Sequence, residues 1–158
     1  MSNVTNQIEH AEQHCKTHGA RLTSQRKQVL ARLIESNRAL SAYELVDFCK
    51  ERYGESIAAM SVYRSLEFLE KEDLVHKLNS TNKFVACAHI CREHDHGVAQ
   101  FLICKECNKI TELTLEPLVM DSLRDEAAKA GFTVISPQLE ISCVCDECRT
   151  KQNNQSKE

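Results

Sequence analysis

Apolar residues in the first half of the chain recur every three or four positions, which is the spacing of helices with one buried face. Capping signals divide this pattern into four helices, because N-cap side chains accept hydrogen bonds from the first turn and glycine suits a helix end. The predicted helices begin near Asn6, Thr23, Ser41 and Ala59. The first, third and fourth are expected to end near Gly19, Gly54 and Lys71.

Two short apolar segments follow the fourth helix. The segments LVHKL and KFVAC are separated by NSTN, a pattern that predicts strand, turn and strand. Helices followed by a hairpin are the order of a winged helix-turn-helix domain, in which one helix enters the DNA major groove and a preceding helix braces it. A helical domain with a hairpin and no DNA-binding role would show the same periodicity. We expect this domain over residues 1–86.

The second half has a different pattern. VAQFLIC and KITELTL predict two strands, Pro117 suits the first turn of a helix reaching about Ala130, and Gly131 suits its stop. FTVISPQLEIS predicts a third strand, interrupted or at an edge because of Pro137. The fold class is therefore α+β, with a hinge loop at 87–97 and a small α/β domain at 98–150. The polar residues 151–158 are expected to be disordered.

Charge is unevenly distributed along the 158 residues, whose net charge is −3. Residues 1–78 hold 11 basic and 11 acidic residues, and the remainder carries the whole negative balance. The segment from Lys16 to Arg38 has six basic residues and one acid, so one local surface could face phosphate. In the second helix Val29, Leu30, Leu33 and Ile34 should point inward, which leaves Arg26, Lys27 and Arg32 toward solvent or a ligand.

The N-terminal segment is polar, and no apolar run approaches the roughly 20 residues that span a bilayer. We therefore expect a cytoplasmic protein with no membrane partner. Its nine cysteines should be reduced and available to metal.

Two Cys-x-x-Cys pairs are a strong signal for structural zinc, because two such pairs complete a tetrahedron of thiolates. The pairs are Cys104 with Cys107 and Cys145 with Cys148. Cys143 has only one residue between it and Cys145, so it is the surplus cysteine. The alternatives are buried free thiols or a redox pair. Four protein ligands leave no open position, which suits a permanent structural site and not catalysis.

A looser group of potential ligands lies around the predicted hinge. It comprises His76, Cys87, His89, Cys91, His94 and His96, with Glu112 further along. Such clustering suggests a second metal site that connects the two halves. Taken singly, each histidine could instead be a solvated loop residue, and His76 an ordinary strand residue.

Six segments resemble the ferric uptake regulator family, and most closely its zinc uptake branch. They are RLTSQRKQVL, SAYELVDF, SVYRSLEFL, LVHKLNSTNKFVAC, FLICKECNKITEL and CDEC. The resemblance implies a homodimeric repressor that binds operator DNA through a winged helix when zinc fills a sensor site, and so controls zinc uptake genes. It also implies that the α/β domain mediates dimerisation.

The resemblance carries over to individual residues of this sequence. It implies base contacts by Tyr63 and Arg64, and DNA backbone contacts by Arg21, Thr23, Gln25, Arg26, Ser41 and Tyr43. It implies two zinc ions per subunit, one structural on the four paired cysteines and one sensory on His76, Cys87, His96 and Glu112. His94 is the alternative to His96. Ser142 stands where many relatives carry a histidine of a further metal site, so that site is not expected.

The thiolate of Cys87 bears on the choice of metal. Iron-sensing relatives use nitrogen and oxygen ligands, and a thiolate favours Zn²⁺ over Fe²⁺. An iron- or peroxide-responsive regulator and a zinc-containing protein interaction module remain as alternatives. A base deaminase would need Pro-Cys-x-x-Cys, and neither Pro117 nor Pro137 precedes a cysteine. We therefore expect no enzymatic activity and no small organic substrate.

Overall fold

The chain forms two compact units. The computed structural model describes residues 3–91, 99–136 and 138–155. The units are Met1–His94 and Asp95–Glu158, so the division falls inside the predicted hinge loop. In the described part of the chain, no helix is both long and apolar enough to cross a membrane.

Residues 3–91 of the first unit form four helices and a hairpin, and the predicted winged-helix fold is confirmed. The elements are α1 (Asn3–Thr17), α2 (Ser24–Ser36), α3 (Ala42–Tyr53), α4 (Ala59–Lys71), β1 (Val75–Lys77) and β2 (Phe84–Ala86). The expected N-cap at Asn6 is wrong, because Asn6 lies inside α1. Half-buried Val4 and Ile8 extend the apolar stripe of α1 by one turn toward the N-terminus.

Side-chain caps fix where α2 and α3 begin. The hydroxyl of Thr23 accepts a hydrogen bond from the Arg26 amide at 3.4 Å. Ser41 and Glu44 form the predicted capping box: the Glu44 amide donates to the Ser41 hydroxyl at 3.1 Å, and the Ser41 amide donates to the Glu44 carboxylate at 2.8 Å. These bonds satisfy amides that have no partner within the helix. Gly54 ends α3 with φ 66°, a conformation that favours glycine.

The apolar faces of α2, α3 and α4 meet in one core. Val29, Leu30 and Leu33 are buried as predicted, and Ile34 packs at the edge. Leu45 from α3 and Leu66 and Leu69 from α4 complete the centre. Each fully buried leucine contributes about 1.5–3 kcal/mol through the hydrophobic effect. The helical stripes of the sequence therefore determine the packing of this unit.

The hairpin is joined to the start of α3. Strands β1 and β2 pair antiparallel, with His76 opposite Val85. Leu40 and Phe84 exchange two backbone hydrogen bonds, of 3.0 and 2.8 Å. The residue next to the capping box therefore acts as a third, one-residue strand, and it fixes the hairpin against the helices.

The described residues of the second unit form a three-stranded sheet with two helices. Its elements are β3 (Gln100–Cys104), β4 (Ile110–Leu113), α5 (Pro117–Lys129), β5 (Glu140–Cys143) and α6 (Asp146–Gln155). The strand order is β4-β3-β5, with β3 antiparallel to β4 and parallel to β5. The parallel pair requires a crossover, which α5 supplies. Pro117 occupies the first turn of α5 and Gly131 follows its end with φ 85°, as predicted.

Two predictions for the second unit are wrong in extent. The third strand begins only at Glu140, and residues 132–136 form no strand. The tail predicted to be disordered from 151 is helical as far as Gln155; residues 156–158 lie outside the described residues. Asp146 supports the first turn of α6, because its carboxylate lies 2.8 Å from the guanidinium of Arg149 and its carbonyl accepts from the hydroxyl of Thr150 at 2.8 Å.

Arg32 is an internal structural residue, although the sequence places it toward solvent or a ligand. Its guanidinium makes a bidentate pair with Glu55, bonds Glu35 at 2.8 Å, and lies 3.8 Å from the ring centroid of Tyr53. Its side chain is 18% exposed. The hydrogen bond from Arg32 holds the pKa of Glu55 below its ordinary value. Arg32 therefore connects α2 to the end of α3.

Arg32→Ala is expected to lower the free energy of unfolding by about 1.5–3 kcal/mol, because charged hydrogen bonds of limited exposure are lost. Arg32→Lys should recover only part of this loss, since an ammonium cannot form the bidentate pair. Arg38→Ala, at an exposed position just after α2, is the matched control. It should change the free energy of unfolding by no more than about 0.5 kcal/mol. Urea denaturation followed by circular dichroism measures all three, and equal effects at 32 and 38 would contradict the assignment.

Candidate metal and nucleic-acid sites

Four cysteines of the second unit converge at one end of its sheet. One sulfur each from Cys104, Cys107, Cys145 and Cys148 lies within 4.8 Å of the other three. The sulfurs of Cys107 and Cys145 are 3.7 Å apart. A zinc–sulfur distance of about 2.3 Å implies tetrahedral edges of about 3.8 Å. The donor set and its spacing therefore fit one tetrahedral Zn²⁺.

The parallel pairing of β3 and β5 brings the two cysteine pairs together. Its register sets Cys143 opposite Cys104, so Cys145 follows two residues beyond the end of the sheet. A tight turn after Cys104 returns the chain to β4, with Asn108 at φ 60°. The Cys143 thiol instead donates to the carbonyl of Ile141 at 3.5 Å and is outside the group of four. Cys143 therefore belongs to the strand ladder and not to the cysteine cluster.

The local electrostatics separate the four thiols. The backbone amides of Cys145 and Cys107 donate to the sulfur of Cys104 and lower its pKa to about 6. Hydrogen bonding to Cys145, together with desolvation, raises the pKa of Cys148 to about 12. Adjacent thiols resist the loss of more than one proton, because the thiolates would repel one another. A divalent cation would remove that repulsion, as in closed zinc sites.

His76 and Cys87 occupy the hairpin of the first unit. His76 is half-buried in β1, and Cys87 follows β2 and is 2% exposed. Since His76 pairs with Val85, Cys87 stands two residues farther along on the same face of the hairpin. The Cys87 amide donates to the carbonyl of Leu74 at 3.0 Å, which holds this position in the ladder.

The other predicted sensor ligands fall elsewhere in the chain. Glu112 is half-buried in β4, where it pairs with Phe101. His94 and His96 both lie outside the described residues. Ser142 is exposed in β5.

Two of the remaining cysteines belong to the core. Cys15 and Cys49 are fully buried among the helices of the first unit. Burial raises the pKa of Cys15 to about 11, and that of Cys49 is also raised. A thiol that stays protonated at neutral pH is a poor nucleophile and a poor metal ligand. These two residues therefore pack, whereas Cys91 is exposed.

The predicted base-contacting residues lie on α4. Arg64 is exposed, and Met60, one turn earlier, is 63% exposed. Tyr63 is half-buried, and its ring meets that of Tyr43 edge-on, with centroids 6.0 Å apart. Tyr43 itself is 64% exposed at the start of α3. The structure therefore presents two tyrosines and one arginine on adjoining parts of α3 and α4.

The predicted backbone-contacting residues have mixed environments. Arg21 and Gln25 are exposed at the start of α2, whereas Thr23 and Ser41 cap helices. Arg26 stacks on Phe68, 3.6 Å from its ring centroid, and donates to the carbonyl of Arg21 at 2.7 Å. Arg26 therefore positions the segment before α2 in addition to adding charge. Lys27, predicted to face solvent or a ligand, pairs with Glu12 at 2.8 Å.

One group of potential ligands is not singled out from the sequence. His14, His18 and Glu72 each bring a ligand atom within 4.8 Å of the other two. The signal for the histidine pair is their four-residue spacing, which places both rings on one face of a helix. The proximity of Glu72 depends on packing and has no local signal.

Comparison with known proteins identifies the family to which the chain is related. The profile of the ferric uptake regulator family matches residues 17–142. The zinc uptake regulation protein of Escherichia coli is 35% identical over 150 residues, which cover 94% of this chain and 85% of that protein. The zinc uptake regulation protein of Mycobacterium tuberculosis is 32% identical over 132 residues, covering 84% of this chain and 97% of that protein.

A solved structure extends the similarity to three dimensions. A zinc uptake regulator complexed with zinc and DNA superposes with a TM-score of 0.82 at 29% identity, over 97% of this chain and 99% of that one. The match includes the winged helix and the cysteine-containing unit. This chain therefore belongs to the ferric uptake regulator family.

Proposed function

We propose that this protein is a zinc-responsive transcriptional repressor that binds operator DNA as a homodimer and controls zinc uptake genes. The observation that carries the proposal is the similarity, over nearly the whole chain, to a zinc uptake regulator solved with zinc and DNA. The relatives named zinc uptake regulation proteins support the choice of metal. The proposal involves a cytoplasmic protein without membrane partner, small organic substrate or enzymatic step.

In this proposal α4 enters the major groove. Arg64 is exposed there, and an arginine can make a bidentate hydrogen bond to guanine. Tyr63, steadied by Tyr43, would contact a thymine methyl or a phosphate. Backbone contacts are assigned to Arg21, Thr23, Gln25, Arg26, Ser41 and Tyr43. Such contacts set the position of the protein on DNA and carry no sequence information.

We assign one structural zinc to Cys104, Cys107, Cys145 and Cys148. Their sulfur spacing and thiolate chemistry fit a closed tetrahedral site, with a formal charge of −2 from four thiolates and one Zn²⁺. Binding would hold the turn after β3 against the start of α6. Few side chains are buried in this unit, so the metal would supply much of its folding free energy.

We assign the second, regulatory zinc of each subunit to His76, Cys87, His96 and Glu112. Two neutral imidazoles, one thiolate and one carboxylate give a formally neutral site with Zn²⁺, in contrast to the structural site. The buried thiol of Cys87 is the soft ligand that favours zinc over iron. Because these ligands span residues 76 to 112, zinc binding would couple the hairpin of the first unit to the second unit.

Dimerisation through the second unit is supported by its exposed apolar side chains. Helix α5 buries no side chain in the single chain. The exposed apolar residues of this unit include Leu118, Val119, Phe132, Ile135, Ile141 and Val144. Apolar surface of this extent is typical of an interaction site. A second copy would cover it and give two recognition helices for two half-sites.

Zinc and DNA then act as linked ligands. Zinc at the regulatory site would favour the arrangement in which both recognition helices reach their half-sites. By reciprocity, bound operator would tighten zinc by the same factor. A shift of the competent fraction from 1% to 99% requires about a 10⁴-fold preference of zinc for the competent state.

Cys87→Ala is expected to abolish zinc-dependent DNA binding and to leave the structural zinc in place. Removal of a hydrogen-bond partner of a metal ligand lowers metal affinity by about 10- to 100-fold. Loss of a ligand itself should lower the zinc affinity of the regulatory site by more than this. Duplexes enriched from a random pool by the zinc-loaded wild-type protein serve as the probe in mobility shifts with zinc or chelator. Cys91→Ala, at an exposed nearby cysteine, is the control and should respond as wild type.

Each other outcome of that assay has a definite meaning. Wild-type binding that chelator does not weaken contradicts zinc regulation. Activation by Fe²⁺ and not by Zn²⁺ would indicate an iron or peroxide regulator. Failure to enrich any duplex would favour an interaction module. A full zinc response in Cys87→Ala removes this residue from the sensor site.

Cys148→Ser should cost one tightly bound zinc per chain and unfold the second unit, because three thiolates no longer close the site. Cys143→Ser is the matched control, since Cys143 lies in the same segment and outside the cluster. Metal analysis after gel filtration and near-ultraviolet circular dichroism measure the two effects. An unchanged zinc content in Cys148→Ser, or an equal loss in Cys143→Ser, would contradict the assignment.

Arg64→Ala should weaken binding to the enriched duplex by about 1–3 kcal/mol, or roughly 5- to 150-fold, through loss of one base contact. Binding to random duplex should change little. Arg52→Ala removes an exposed arginine of α3 and serves as the control. An equal loss on both duplexes would place Arg64 on the phosphate backbone.

A further inference from the structure

The C-terminal ends of α1 and α4 bring three potential metal ligands together. They are His14 and His18 from the end of α1 and Glu72 from the C-cap of α4, with ligand atoms within 4.8 Å of one another. All three belong to the first unit. We propose that His14, His18 and Glu72 form a further Zn²⁺ site, separate from the structural and regulatory sites, that fastens α1 to α4.

The two histidines have the spacing that helical zinc sites use. Residues four apart on a helix lie on the same face, as do the paired histidines of His-Glu-x-x-His zinc enzymes. The His14 and His18 rings already stand 4.3 Å apart between centroids, tilted by 51°. Zinc–nitrogen distances of about 2.0–2.1 Å imply edges of about 3.3 Å, so side-chain movements of up to about 1.5 Å would close the site. None of the three side chains is buried, so each can make such a movement.

A hydrogen bond prepares His18 to bind a cation. Its Nδ1 lies 2.8 Å from the carbonyl oxygen of His14. Because a carbonyl can only accept, this contact requires a proton on Nδ1. The neutral ring then keeps its lone pair on Nε2. Metal-binding histidines usually have their second nitrogen fixed in this way, which sets the tautomer and the ring orientation.

The backbone around the cluster also favours a cation. Helix α1 ends at Thr17 and α4 ends at Lys71, immediately before Glu72. Each helix C-terminus carries roughly half a negative charge. Glu72 adds a full charge when ionised. A dication therefore meets three sources of negative potential, and imidazole with carboxylate is a donor set that suits Zn²⁺.

Three protein ligands leave one tetrahedral position for water. Without thiolates, this site should bind zinc more weakly than the four-cysteine site and should fill at higher zinc concentration. Its effect is mechanical, since one ion would join the first helix of the unit to the helix that carries Tyr63 and Arg64. The inference does not rest on the proposed function, because it concerns zinc binding and stability of the first unit alone.

The test uses the full chain with its cysteine sites already filled by zinc. Further Zn²⁺ is titrated in competition with a chromophoric chelator, and bound zinc per chain is counted. The wild-type protein should bind one additional zinc ion per chain. The affinity for this ion should be more than about 100-fold lower in His18→Gln and in Glu72→Gln. The added zinc should also raise the melting temperature of wild type and not that of the variants. The imidazole NMR signals of His14 and His18 should shift as it binds.

Matched controls are available on the same two helices. His10→Gln removes an exposed histidine one turn before His14, and Glu70→Gln removes an exposed glutamate two residues before Glu72. Both should retain the additional equivalent. Equal zinc affinity in wild type and His18→Gln, equal loss in the controls, or unmoved imidazole signals would each overturn the proposal. Because His18 is exposed, far-ultraviolet circular dichroism should confirm that its variant folds.

Discussion

The second unit depends on the short parallel pairing between β3 and β5. This ladder sets Cys143 opposite Cys104, and by doing so it delivers Cys145 and Cys148 to the turn that carries Cys107. Among the described residues of this unit, α5 buries no side chain, and the buried residues all lie in β3 or next to it, so apolar packing contributes little at this end. A sheet of this size needs either metal or a partner surface. The zinc site proposed at the cysteine cluster and the partner surface proposed on α5 would each supply this stabilisation.

The first unit, in contrast, has a continuous apolar core, and its polar contacts fix the ends of helices. Three helices meet through buried leucines, and the Arg32 network fixes the end of α3. Arg26 is stacked on Phe68, so the start of α2 is held at a defined distance from α4. The base contact proposed for Arg64 would need this rigidity, since a bidentate hydrogen bond requires its position to be held to within about 0.5 Å.

Local signals explain which parts of this fold could be predicted from the sequence. The capping box at Ser41 and the two Cys-x-x-Cys pairs are local signals. The capping box is confirmed, and the four paired cysteines lie close together in the structure. The failures involve tertiary contacts. The pairing of Arg32 with Glu55 joins residues far apart in sequence, and the late start of β5 is set by its partner β3. The helix α6 forms from polar residues without an apolar stripe, so periodicity could not reveal it.

The three candidate zinc sites differ in a way that predicts their order of filling. Four thiolates would hold zinc most tightly, a site with one thiolate less tightly, and the pair of histidines with Glu72 most weakly, because zinc prefers soft and charged ligands. Charge neutrality makes the proposed regulatory site the one that can fill and empty across a change in zinc supply. The site on α1 and α4 would then respond only after that transition is complete. As the zinc concentration rises, zinc would thus first stabilise the second unit, then permit the proposed DNA binding, and finally make the first unit more rigid.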